Sequence, residues 1–102
     1  MIDRDYAKHC VGPGWSKLLD KIYDILPPDA YVVQVKEKFG GIRFYVYGVS
    51  EEVLDFIDSI EKESYETCEI CGNPGNIRDG SWVTTRCDSC YAKEKLGIVA
   101  QW

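Results

Sequence analysis

Four of the five cysteines fall into two pairs, Cys68-Glu69-Ile70-Cys71 and Cys87-Asp88-Ser89-Cys90, with 15 residues between the pairs. Thiolates are soft ligands, and two intervening residues let the backbone turn tightly enough to aim both sulfurs of a pair at one ion. The separation lies in the range of structural zinc sites. Four thiolates close a tetrahedron, whereas a catalytic zinc keeps three protein ligands and an open position. The expected cofactor is therefore one structural Zn²⁺ held by Cys68, Cys71, Cys87 and Cys90. An iron–sulfur cluster also takes four thiolates and is the competing occupant. A thioredoxin-like redox role needs one Cys-x-x-Cys in a βαβ setting, which the sequence lacks. His9 and Cys10 are the lone His and the spare Cys, but side chains adjacent in a chain rarely meet as base and nucleophile. With no such pair and no open metal position, the chain is expected not to be an enzyme.

Two further stretches carry groups that could bind a partner. Residues 31–47 are rich in β-branched and aromatic side chains around Gly40-Gly41, a dipeptide suited to a two-residue hairpin turn with positive φ. With that dipeptide as the loop, Phe39 pairs with Ile42, Lys38 with Arg43, Glu37 with Phe44 and Lys36 with Tyr45. One face then holds Val33, Val35, Phe39, Ile42, Phe44 and Val46, and the other Gln34, Lys36, Lys38, Arg43, Tyr45 and Tyr47. Such a basic, aromatic face could stack bases and grip phosphates, or be an ordinary solvated sheet surface. Glu37 breaks the alternation, which calls for a bulge or for a partner to its carboxylate. The second stretch runs from the N-cap Ser50 to about Glu66 as a helix that buries Val53, Phe56, Ile57 and Ile60. Its other side collects Glu51, Glu52, Asp55, Asp58, Glu61, Glu63 and Glu66 against Lys62 alone. That side is either an ordinary solvated face or a surface that imitates nucleic-acid phosphates or meets a basic partner.

Few elements are needed to position these groups. Leu18, Leu19, Ile22, Ile25 and Leu26 recur at helical spacing over residues 15–26, and Pro27-Pro28 stops that helix. Residues 1–14, ending in Gly12-Pro13-Gly14, show no periodicity and read as an irregular arm. Between the cysteine pairs, Asn73-Pro74-Gly75 and Asp79-Gly80-Ser81 are turn sequences, and Trp82-Val83-Thr84-Thr85 is a short strand leading into Cys87. The expected fold is α+β: one domain over 1–102, with an arm (1–14), a helix–hairpin–helix core (15–67), and a zinc ribbon with its tail (68–102). The ribbon strands are placed to extend the hairpin sheet. The terminal Ile98-Val99-Ala100-Gln101-Trp102 is apolar enough to dock on the core or on a partner.

A chain of 102 residues with 45% apolar content and 13 % aromatic content can fill one modest core. Its start, Met1-Ile2-Asp3-Arg4-Asp5, is charged and leads into no apolar signal region, and no window approaches a membrane span. Paired cysteines that bind metal belong in a reducing compartment, so the expected location is the cytoplasm, with no membrane partner. The net charge of −5 arises wholly in residues 1–67, which carry eight Lys/Arg against thirteen Asp/Glu. Four thiolates around one Zn²⁺ would add a further −2. This acidity disfavours broad nucleic-acid affinity and favours a protein partner.

The run Gln34-Val35-Lys36-Glu37-Lys38-Phe39-Gly40-Gly41-Ile42-Arg43-Phe44-Tyr45 has company in Gly14-Trp15 upstream and the four-cysteine segment downstream. With these motifs, over roughly residues 10–92, the chain resembles a group of small uncharacterised proteins from bacteria and their phages. The resemblance implies no catalytic residues. By analogy it implies a small acidic protein that binds another protein, such as an anti-CRISPR-like inhibitor of a host defence protein or an immunity protein. The expected function is a zinc-stabilised protein-binding module using Lys36, Lys38, Arg43, Tyr45 and Tyr47, or the acidic residues Glu51, Asp55 and Asp58. The alternative is a nucleic-acid-binding zinc ribbon acting through the hairpin face.

Overall fold

The computed structural model describes residues 1–80 and 82–95. The apolar segment Ile98-Val99-Ala100-Gln101-Trp102, expected to dock, lies outside them. The chain forms helix α1 (Arg4–His9), a 3₁₀ turn (Pro13–Trp15), helix α2 (Ser16–Ile25), strands β1 (Tyr31–Lys38) and β2 (Gly41–Tyr47), and helix α3 (Glu51–Ser64). Strands β3 (Asn76–Arg78) and β4 (Thr84–Arg86) and helix α4 (Asp88–Lys95) follow. The architecture is α+β, as the periodicity predicts.

The main core lies between α2, α3 and the inner face of the β1–β2 hairpin. Trp15, Leu18, Leu19 and Ile22 meet Val32, Val35, Ile42 and Phe44 from the strands and Ile57 and Ile60 from α3. Tyr23 adds an edge-on contact to the Phe44 ring at 5.5 Å between centroids. A small second cluster holds Cys68, Cys87 and Cys90 with Ile70 against them.

Residues 1–14 are not an irregular arm. Asp3 caps α1 by accepting the Tyr6 N–H at 2.8 Å, and Arg4 and Lys8 reach Asp20 on α2 at 3.1 and 2.8 Å. Ala7 and Val11 complete the docking by entering the main core. A helix of six residues is too short to display apolar periodicity, so cap and ion pairs define it instead.

The hairpin turn also sits one residue earlier than Gly40-Gly41 suggests. Lys38 faces Gly41, Glu37 faces Ile42, Lys36 faces Arg43 and Val35 faces Phe44, so the loop is Phe39-Gly40. Both loop residues have positive φ, 53° and 83°, as a type I′ turn requires. Gly41 is a strand residue whose missing side chain makes room for Tyr65: a Cβ there would lie 2.4 Å from the ring. In this register Glu37 does lie on the inner side, and its carboxylate accepts the Gly40 N–H at 2.8 Å. The pairing then slips between Val32 and Gln34, where a bulge turns Val32 into the core and leaves Val33 44% exposed. Phe39 and Val33, both expected to face the core, therefore lie in solvent.

On α3, Phe56 is exposed rather than part of the buried stripe, and Ser64 is buried in its place. The ribbon strands do not extend the first sheet. They form a separate two-stranded sheet whose pairing begins at Thr84, beyond Trp82.

Candidate metal centre and its flanking surfaces

The two cysteine pairs are presented by different local structures. At the first, the Gly72 N–H returns to the Cys68 carbonyl at 2.9 Å and the Cys68 N–H reaches the Asn73 carbonyl at 2.7 Å, closing a tight knuckle. Gly14 lies flat against it, donating its N–H to the Glu69 carbonyl at 2.9 Å; a Cβ on Gly14 would stand 2.0 Å from the Cys68 oxygen. The glycines read as a break are thus the surface on which the knuckle rests. The Trp15 indole N–H fixes the same junction by donating to the Thr67 carbonyl at 2.8 Å. The second pair instead opens a helix. The Cys87 carbonyl accepts the Tyr91 N–H at 2.9 Å, and its sulfur lies 3.4 Å from the Cys90 N–H at the positive end of α4.

All four sulfurs lie within 4.8 Å of one another, with Cys71 and Cys87 at 3.5 Å. A tetrahedral zinc with Zn–S of about 2.3 Å sets S···S edges near 3.8 Å, so the donor set fits that ion. The electrostatics fit as well. Burial opposes ionisation of Cys68, but N–H groups of Cys71, Cys87 and Ile70 outweigh it and lower the thiol to about 7. Burial and the neighbouring sulfurs push Cys90 up to about 12. Sulfurs this close cannot all ionise alone, and a dication removes the conflict. Cys68, Cys71, Cys87 and Cys90 form a closed four-thiolate site for one structural zinc.

Behind the site, Glu69, 3% exposed, forms an ion pair with Arg86 and accepts the Thr85 N–H at 3.2 Å. The Thr85 hydroxyl donates to the Gly40 carbonyl at 2.6 Å, tying the metal-bearing sheet to the hairpin tip. Glu69 and Arg86 carry no recognisable signal in sequence, since their partnership exists only once both knuckles are folded.

Away from the metal, the hairpin register gathers Lys36, Lys38, Arg43, Tyr45 and Tyr47 on the outer face of β1–β2. Tyr31, opposite Tyr47, joins them; it escapes a sequence reading because the bulge hides its facing. The Lys36 ammonium stands 5.7 Å from the centre of the Tyr45 ring. Glu51, Asp55 and Asp58 occupy the exposed side of α3, which turns its Ile57 and Ile60 to the core. Three of the α3 acids have local partners: Asp58 with Lys62 at 3.0 Å, Glu63 with Lys21 at 3.3 Å, and Glu61, which accepts the Phe44 N–H at 2.8 Å. Cys10 is no activated nucleophile, because burial pushes its thiol up and its sulfur donates to the Tyr6 carbonyl at 3.4 Å. Among the described residues no helix is long and apolar enough to cross a membrane. Compared with known proteins, the chain matches no family model, no curated protein and no solved structure.

Proposed function

We propose that the chain is a non-enzymatic, zinc-stabilised module that docks a protein partner through the outer face of its hairpin. The observation that carries this reading is the set of uncovered rings on that face: Tyr31, Tyr45 and Tyr47 are 54, 45 and 72% exposed beside Val33. Tyrosine offers large contact area at low entropic cost and is enriched where interfaces draw their energy. Met1 and Tyr6 border the same groove as Tyr31 and Val33, enlarging the apolar patch. The acidic side of α3 supports the reading less, because Asp58, Glu61 and Glu63 are already engaged within the fold. In the setting of the bacterial and phage proteins that the hairpin motif resembles, such a module acts by occupying a host protein in the cytoplasm, as a defence inhibitor or immunity protein does.

The competing reading assigns the same face to single-stranded nucleic acid, on the strength of Lys36 over Tyr45 with Lys38 and Arg43 nearby. Capture from a bacterial lysate separates the two. The native chain is expected to recover a discrete protein that Tyr45→Ser/Tyr47→Ser and Lys36→Glu/Arg43→Glu variants both lose. Equal recovery by both variants removes the hairpin face from the proposal. Oligonucleotide binding at low salt that disappears in the charge variant replaces it with the nucleic-acid reading.

A further inference from the structure

Where the hairpin tip meets the loop before β4 there is a cleft of about 350 Å³ lined by Glu37, Lys38, Phe39, Trp82 and Val83. Two large rings stand in solvent there, Phe39 at 64% and Trp82 at 73% exposed. Phe39 also holds a φ of 53°, a left-handed conformation that glycine adopts freely and a bulky residue seldom does. The ring lies outside the hydrophobic core, and backbone strain of this kind concentrates at ligand clamps. The hairpin side of the cleft is fixed in advance: Gly40, next to Phe39, is held by the Glu37 carboxylate at 2.8 Å through its N–H and by the Thr85 hydroxyl at 2.6 Å through its carbonyl. Preorganisation of this kind lowers the entropic cost of binding.

We propose that this cleft receives one large apolar side chain from an acidic segment of a partner protein. The charge around it selects that chemistry. Lys36, Lys38 and Arg43 share the hairpin face that leads to the cleft, and the inward-facing carboxylate that lines it, Glu37, is turned onto the Gly40 N–H. A cationic side chain is disfavoured, since the Lys38 ammonium already stands 5.6 Å from the Phe39 ring centre. A long polyanion is disfavoured too. Three cations allow about three phosphate contacts, too few for strong affinity at physiological salt, and α3 sets its carboxylates on the same small body. A short acidic segment needs the local face alone. The proposal rests on the hairpin as a docking surface and adds what enters it.

Selection of a displayed random peptide library on the zinc-loaded full chain tests this. The enriched peptides are expected to carry one aromatic or large aliphatic residue flanked by Asp or Glu. Phe39→Gly and Trp82→Ala should each weaken their binding at least tenfold, with zinc content and circular dichroism unchanged. Both rings are exposed, and glycine at position 39 relieves strain, so these variants keep the fold. Peptides bound equally by Phe39→Gly and Trp82→Ala but lost in Tyr45→Ser/Tyr47→Ser overturn the cleft while leaving the docking face standing. Peptides indifferent to all of these changes overturn both. Enrichment without acidic residues, displacement by oligothymidylate, binding that requires removal of residues 96–102, or a dimer abolished by Phe39→Gly each assign the cleft to another occupant and overturn the proposal.

Discussion

Ser64 and Phe39 act on the hairpin in opposite senses. Ser64 is fully buried, accepts the Ile42 N–H at 2.9 Å and donates to the Glu61 carbonyl. Glu61 accepts the next outward N–H of the strand, that of Phe44, so side chains of α3 cover the edge of β2 where another strand would otherwise pair. Ser64→Ala leaves the buried Ile42 N–H without its acceptor and should cost about 1–3 kcal/mol. For a domain of this size, each kcal/mol corresponds to a fall in Tm of roughly 4–8 °C. Urea unfolding measures it, and a loss below about 0.5 kcal/mol would mean that water replaces the hydroxyl. Phe39→Gly should do the reverse. Relief of a left-handed residue is worth about 1–2 kcal/mol, and the added freedom of glycine in the unfolded chain returns about 0.5–1. A net gain of about 0.5–1 kcal/mol is expected. A clear loss of stability would show that the ring anchors the turn and is not held there for display.

At the scale of elements, α1 is held to α2 by ion pairs as well as by the burial of Ala7 and Val11. Lys8 and then Arg4 hold the Asp20 carboxyl below the usual carboxylate range against the opposing effect of burial. A carboxylate with a depressed folded pKa adds stability above its unfolded value of about 3.9 and loses it as pH falls through the folded one. The docking of α1 should thus be complete at neutral pH and weaken below about pH 4. Hydrogen-exchange protection of the Ala7 and Cys10 amides, compared with Ile57, follows it. Asp20→Asn should give weak protection at every pH; a native profile in that variant would assign the docking to Ala7 and Val11 alone. The same element shows what a sequence conceals. Helices α2 and α3 were legible because their apolar residues repeat over several turns, and the cysteine site because two-residue spacing makes each pair a local geometric unit. Helix α1 was not, being defined by ion pairs to residues more than a turn away in sequence. The hairpin was legible as a hairpin but not in register, since Gly40 serves the turn and Gly41 serves the Tyr65 ring, and adjacent letters do not separate those reasons. The bulge at Val33 reversed the facing of Val32 and Val33, and the strand propensities of two neighbouring valines are equal. The helical setting of Cys87 and Cys90 was hidden because metal and cap, not apolar repeats, determine it.

For the molecule as a whole, stability is divided unevenly. The main cluster joins apolar residues of α1, α2, α3 and the hairpin, while the second consists of three cysteines with Ile70 packed against them. So little apolar surface cannot order residues 68–95 without the metal, whose binding contributes roughly 10–16 kcal/mol in zinc-finger peptides at neutral pH. The two parts meet at a few specific points: Gly14 on the Glu69 carbonyl, Trp15 on that of Thr67, and Thr85 on that of Gly40. Removing zinc with a strong chelator should therefore abolish exchange protection of the Glu69, Thr85 and Tyr91 amides, while those of Leu19, Ile22 and Ile57 persist. The hairpin tip belongs with the metal in this division. It loses the Thr85 hydroxyl and the Trp82 wall together, so chelation should also weaken any ligand of the Phe39 cleft by more than tenfold while leaving contacts at Tyr31 and Tyr47 nearly unchanged. Cooperative loss of protection across both clusters would instead make zinc the keystone of a single unit. Metal analysis of the native chain is the companion measurement: about one zinc per chain is expected from four thiolates, and none from a Cys68→Ser/Cys90→Ser variant. Iron in place of zinc would transfer the site to cluster chemistry.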